Sequence, residues 1–187
     1  MTAREKLLRS AAELFYRDGV TATGIDAVTE RAGVAKQSLY NNFKSKADLV
    51  FSYLTERHAE WLELYGRRLA IASNPISRTL AVFDAYQDHA EFAYERGFRG
   101  CGLLNAAAEF PSGDAGRLAV RAHKEKVEQI LVEHLWAFLP DDPTRGAIVA
   151  RHLSYLLEGA MSRAGLEGES RRLIEARNIA QDILRSL

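Results

Sequence analysis

Apolar residues recur at three- and four-residue spacing along nearly the whole chain, and no segment shows convincing apolar–polar alternation. The first period suits an amphipathic helix and the second would suit a strand. Only four prolines interrupt 187 residues. The pattern therefore predicts an all-α fold of about nine helices.

The first predicted helix covers about residues 3–17. Thr2 and Glu5 stand at capping-box spacing, Leu7, Leu8, Ala11, Leu14 and Phe15 share one face, and Gly19 stops the helix. A short second helix over 25–32 turns Ile25, Val28 and Ala32 inward, and Gly33 ends it. A fourth helix begins at Ser45 or Lys46 and is long, carrying the stripe Leu54, His58, Trp61, Tyr65 and Leu69. Breaks at Asn74–Pro75, in the Gly-rich run 96–102, at 111–116, at 139–144 and at 165–170 separate five more. Asp142 is placed to cap the eighth, with Pro143 at its tolerated first position. The organisation is three short helices, a long connecting helix and a larger helical body, divided at residue 46 into domains 1–46 and 47–187. The fourth helix would couple them mechanically.

The third helix lies in "GVAKQSLYNNFKSK" and has little to pack. At about 100° per residue, Leu39, Phe43, Asn42 and Ser38 fall on one half. Gln37, Tyr40, Asn41 and Lys44 fall on the other, with Lys36 at the edge. Leu39 and Phe43 can anchor the helix, leaving amides, a phenol and an ammonium outward. Gln and Asn can pair bidentately with adenine in the major groove, and Tyr and Lys reach phosphate oxygens. Two short helices joined at Ala32-Gly33-Val34 have the form of a helix-turn-helix, whose second helix enters that groove. On pattern alone, a short polar helix on any all-α protein remains the other reading.

The span "GVTATGIDAVTERAGVAKQSLYNNFKSKADL", residues 19–49, resembles the DNA-binding domain of TetR-type transcriptional regulators. The resemblance is carried in fixed register by Gly19, Thr23, Val28, Thr29, Ala32, Gly33, Val34, Ala35, Ser38, Leu39, Tyr40, Phe43, Ser45, Lys46 and Leu49. Five positions depart from the family pattern. Gly24 and Ala35 lack hydroxyls frequent there, Gln37 replaces a small residue, Asn42 a His or Tyr, and Ala47 an acid. With the helical wheel, the resemblance implies Lys36, Gln37 and Asn41 as base readers. Tyr40, Lys46 and Thr23 would be phosphate contacts, and Lys44 joins them on the outward face.

One such helix reads few base pairs, so specificity calls for two copies on a near-palindromic operator in double-stranded DNA. The resemblance implies a homodimer through the last two helices, 145–166 and 171–186. Tyr155, Gly159 and Ala160 would lie there, with Ile183 and Leu184, unless this stripe is intrachain core. The body in that family generally binds a small-molecule effector that alters the spacing of the DNA-binding domains. Candidate ligand residues are His58, Trp61, Tyr65, Phe83, Tyr86, Cys101, Asn105 and Glu109, against the plainer reading of an aromatic core. Cys101 is a sensor or an inert buried thiol.

Composition bounds the rest. The chain has 25 basic and 25 acidic residues, so total charge gives no hint of a nucleic-acid partner. A lone cysteine allows no intrachain disulfide, no apolar run reaches the roughly 18 residues of a membrane span, and the N-terminus lacks a secretory pattern. A cytoplasmic protein is expected. The five histidines lack tight metal-ligand spacing, so neither metal nor cofactor is expected. No nucleophile–base order or phosphate-cradling loop points to an enzyme. The expected function is a ligand-responsive transcriptional repressor. The competing reading is a helical interaction protein with weakened DNA readout.

Overall fold

The computed structural model describes all 187 residues, and every regular element is a helix. In chain order these are α1 Ala3–Asp18, α2 Ile25–Ala32, α3 Lys36–Asn42, α4 Lys46–Ala70, α5 Pro75–Ala90, α6 Gly102–Ala108, α7 Ala115–Phe138, α8 Pro143–Glu167 and α9 Arg171–Arg185.

Local chemistry accounts for most boundaries. The Thr2 hydroxyl accepts the Glu5 N–H at 3.2 Å, while the Glu5 carboxylate accepts the Thr2 N–H at 2.9 Å, completing the capping box on α1. Asp142 accepts the Arg145 N–H at 2.9 Å at the start of α8. Asn74 and Ser77 form a reciprocal cap on α5 that the sequence reading passes over. Gly33 takes the left-handed conformation, φ +64°, that ends α2, where a Cβ would be strained. The sixth helix is shorter than its apolar run: α6 ends at Ala108, and Glu109 and Phe110 follow in tight turns ahead of Pro111.

The chain forms two compact units. The first comprises Met1–His58 and Gly102–Arg121. There α1 packs against α2, α3 and α6, burying Leu7, Leu8, Leu14, Phe15, Val28, Leu39, Phe43 and Leu49. The second comprises Ala59–Cys101 and Ala122–Leu187. There α9 packs on α5 and α8, with Trp61, Phe83, Tyr86, Leu131, Leu135, Leu153 and Leu184 buried. Both α4 and α7 supply residues to each unit. No helix is long and apolar enough to cross a membrane.

Candidate nucleic-acid interface

The α2–α3 turn is closed by backbone: Gly33 N–H donates to Glu30 O and Val34 N–H to Thr29 O, each at 3.1 Å. Leu39 and Phe43 are buried and pin α3 from beneath. The division that the wheel predicts follows. Lys36, Gln37, Asn41 and Lys44 are exposed, and Tyr40 is 48% exposed although aromatic. Asn42 turns back on its own helix, donating Nδ2–H to Ser38 O at 2.7 Å.

The outward side chains are partly organised already. Lys36 Nζ stands 2.7 Å from Asp26 Oδ1, and that hydrogen bond holds its ammonium above the usual lysine range. Gln37 Nε2–H donates to Asn41 Oδ1 at 3.1 Å. Neither Gly24 nor Ala35 supplies a side-chain cap to the helix that it precedes, as their missing hydroxyls require. Ser45 does cap α4, accepting the Asp48 N–H at 3.1 Å, and the Asp48 carboxylate takes the Lys44 N–H at 2.9 Å.

Two expected phosphate contacts look different in the structure. Thr23 is 4% exposed, and its hydroxyl donates to Gly19 O at 2.6 Å and reaches Leu14 O at 3.4 Å. Its hydroxyl is engaged inside the α1–α2 turn, a placement unlike that of an outward phosphate contact. Lys46 is half-buried, with Nζ 3.4 Å from Thr21 O. Arg4, which the sequence reading leaves out, holds its guanidinium 4.8 Å over the Phe43 ring. A basic residue on α1 thus reaches the end of α3, a placement with no signature in local spacing.

The candidate ligand residues divide between the units. Trp61, Tyr65, Phe83, Tyr86 and Cys101 belong to the second. Trp61 stacks on Tyr65 with centroids 5.6 Å apart and meets Tyr86 at 5.4 Å and His123 at 5.5 Å. Its indole N–H is buried without a hydrogen-bond partner. Tyr65 Oη is 2.7 Å from His134 Nε2. Lys124 Nζ donates to Tyr86 Oη at 3.2 Å and to Glu158 Oε1 at 2.8 Å. Burial pushes the Tyr86 phenol up. Burial opposes the Lys124 charge, but Tyr86, Cys101 and Glu158 outweigh it and hold the ammonium above its usual range. Lys124 and Glu158 escape the sequence reading because a charged residue on a helix ordinarily faces water.

His58, Asn105 and Glu109 belong to the first unit. Glu109 is an exposed carboxylate that accepts the backbone N–H groups of Val20 and Thr21 at 2.9 and 2.6 Å. Both of its oxygens thus brace a turn.

The expected dimer residues also separate. Tyr155 is 64% exposed, and Gly159 is exposed with open space where a Cβ would stand. Ile183 is half-buried, whereas Ala160 and Leu184 are in the core of their own unit. Ile148, Leu166 and Ile179 add exposed apolar surface on α8 and α9.

The profile of the family described as "Bacterial regulatory proteins, tetR family" matches residues 7–53. The HTH-type transcriptional activator FasR of Mycolicibacterium smegmatis is 37% identical over 90 residues, 47% of this chain and 40% of that protein. The HTH-type transcriptional repressor KstR2 of the same organism is 34% identical over 83 residues, 44% of this chain and 40% of that protein. The chain thus spans about two fifths of the length of these curated relatives. Similarity over the full length comes from the crystal structure of SCO4454, a TetR-family transcriptional regulator from Streptomyces coelicolor. It is 29% identical with a TM-score of 0.88, covering 98% of this chain and 95% of that one.

Proposed function

The chain belongs to the TetR family of helix-turn-helix transcriptional regulators, and we propose that it is a repressor that binds a near-palindromic operator as a homodimer and is released by a small-molecule effector. One observation carries the DNA-binding part. Helix α3 and the two residues that follow it bury Leu39 and Phe43 and expose Lys36, Gln37, Tyr40, Asn41 and Lys44. A helix so anchored can enter the major groove with its amides against base edges and its cation and phenol near phosphates. Residues 1–46 are the reading domain, and the chain works in the cytoplasm. Repression as the direction of control is supported by the name of the KstR2 relative; FasR is named an activator.

Two copies would place two α3 helices in successive major grooves. The exposed face of α8 with Tyr155 and Gly159, beside Ile183 of α9, is the surface through which copies pair. An effector would bind among the aromatic and polar side chains around Trp61, Tyr65 and Tyr86. It would act by favouring the conformer whose paired α3 helices fit DNA badly. Uncapped α2 and α3 favour a second reading, a helical interaction protein that retains the fold with weakened DNA readout. A mobility-shift assay on the gene's own upstream DNA, at low and high salt, separates the two. The repressor retards that DNA in preference to unrelated duplex, and the interaction protein retards neither.

A further inference from the structure

Polar contacts converge on the turn between α1 and α2, and one of their sources lies far along the chain. We propose that Glu109 is a positioning residue for DNA recognition: its carboxylate fixes the α1–α2 turn and thereby the start of the helix-turn-helix. This inference rests on the operator-binding reading above.

The geometry is specific. Both carboxylate oxygens of Glu109 are engaged, Oε1 by the Val20 N–H at 2.9 Å and Oε2 by the Thr21 N–H at 2.6 Å. Gly19 makes room for this approach, since a Cβ there would meet Glu109 Oε1 at 2.9 Å. Its φ of +96° is itself costly for a side-chain-bearing residue. Arg117 fixes the other side, donating to Ala107 O and Phe110 O, each at 3.2 Å. The carboxylate is therefore held at the turn by bonds that flank it in the chain.

The turn leads directly into Gly24, which gives α2 no side-chain cap. Helix α2 packs on α1, and its uncapped first turn follows directly from the turn that Glu109 braces. Lys46, whose Nζ reaches Thr21 O at 3.4 Å, is attracted to the same carboxylate. A helix-turn-helix depends on phosphate contacts for its register on DNA. Removing Glu109 would leave two amides without their acceptors and let the start of α2 and Lys46 drift together. Glu109 stands in the turn after α6, outside the helix-turn-helix segment whose start it holds.

The test compares the full-length wild type with Glu109→Ala and the isosteric Glu109→Gln. The probe is a duplex recovered by in vitro selection with the wild-type protein, and the readouts are equilibrium anisotropy and hydrogen exchange. Glu109→Ala should weaken binding by about tenfold at fixed salt, well below the melting midpoint. Glu109→Gln, which retains one acceptor oxygen, should lose less. Both should leave the ranking of operator variants unchanged, and exchange should quicken at the Val20 and Thr21 amides. A merely structural Glu109 would lower the melting midpoint and leave the affinity of folded protein unchanged, which overturns the proposal. Unchanged amide protection in Glu109→Ala also overturns it. If Glu109→Ala does not fold, Glu109→Gln carries the comparison, and wild-type affinity in that variant overturns the proposal. A wild type that selects no duplex sinks the operator reading, and this proposal with it. Wild-type binding with unaltered variants sinks the proposal alone.

Discussion

Gln37 donates Nε2–H to Asn41 Oδ1 at 3.1 Å, one turn apart along the exposed side of α3. An amide nitrogen has a second hydrogen, and its carbonyl oxygen is an acceptor. Gln37 oriented by Asn41 therefore retains one donor and one acceptor, the pair that adenine N7 and N6 require. Gln37→Ala should relax discrimination at one operator position by about 1–3 kcal/mol. Competition binding across single-base operator variants measures it. Equal weakening on every variant would make Gln37 a backbone contact, not a reader.

Gly159 stands exposed on α8, with nothing within 4 Å of where a Cβ would lie. Gly159→Leu should leave the single chain folded, and replacing glycine within a helix stabilises it by up to about 1 kcal/mol. In a homodimer packed on this face, the same side chain obstructs close approach. Sedimentation equilibrium should give twice the chain mass for wild type and a shift toward the single-chain mass for the variant. An unchanged dimer would move the interface elsewhere.

His134 pairs with Tyr65 Oη at 2.7 Å, and burial, with the Arg78 charge, holds its imidazolium below the ordinary value of 6.5. A base that binds its proton less readily folded than unfolded contributes stability that is present above the unfolded value and lost as pH falls. The melting midpoint should therefore drop on acidification from about pH 7 to about pH 5.5. His134→Gln should flatten that drop. The carboxylates of Glu13 and Glu109, both held below their ordinary 4.5, add a separate loss only at lower pH. A pH-independent midpoint across the first window would contradict the assignment to His134.

Helices were legible because their causes are local. Thr2 with Glu5, Gly33, and Asp142 with Pro143 carry boundary chemistry within a few residues. The outward side of α3 was legible for the same reason, since one turn of spacing decides which side chains share a face. What escaped depends on how the chain folds back on itself. Thr23 fits a motif, but Gly19 O decides that its hydroxyl faces inward. Glu109 suits a ligand site as a carboxylate among apolar residues, and its bonds to Val20 and Thr21, some ninety positions earlier, have no signature in local spacing. Leu184 belongs to the apolar stripe of α9, but periodicity cannot tell a stripe that covers its own core from one that meets another chain. Lys124 and Glu158 carry ordinary surface chemistry, and only the approach of α7 to α8 near Tyr86 makes them a pair.

The central claim is that α3 reads DNA as one half of a symmetric pair. Its most direct test is selection of a binding duplex from random sequence. Equilibrium titration of that duplex across salt concentrations, with stoichiometry measured, follows. The selected duplex should carry two inverted half-sites about one helical turn apart and bind two chains, with affinity that falls steeply as salt rises. Failure to enrich any sequence, or equal affinity for selected and random duplexes, would contradict it.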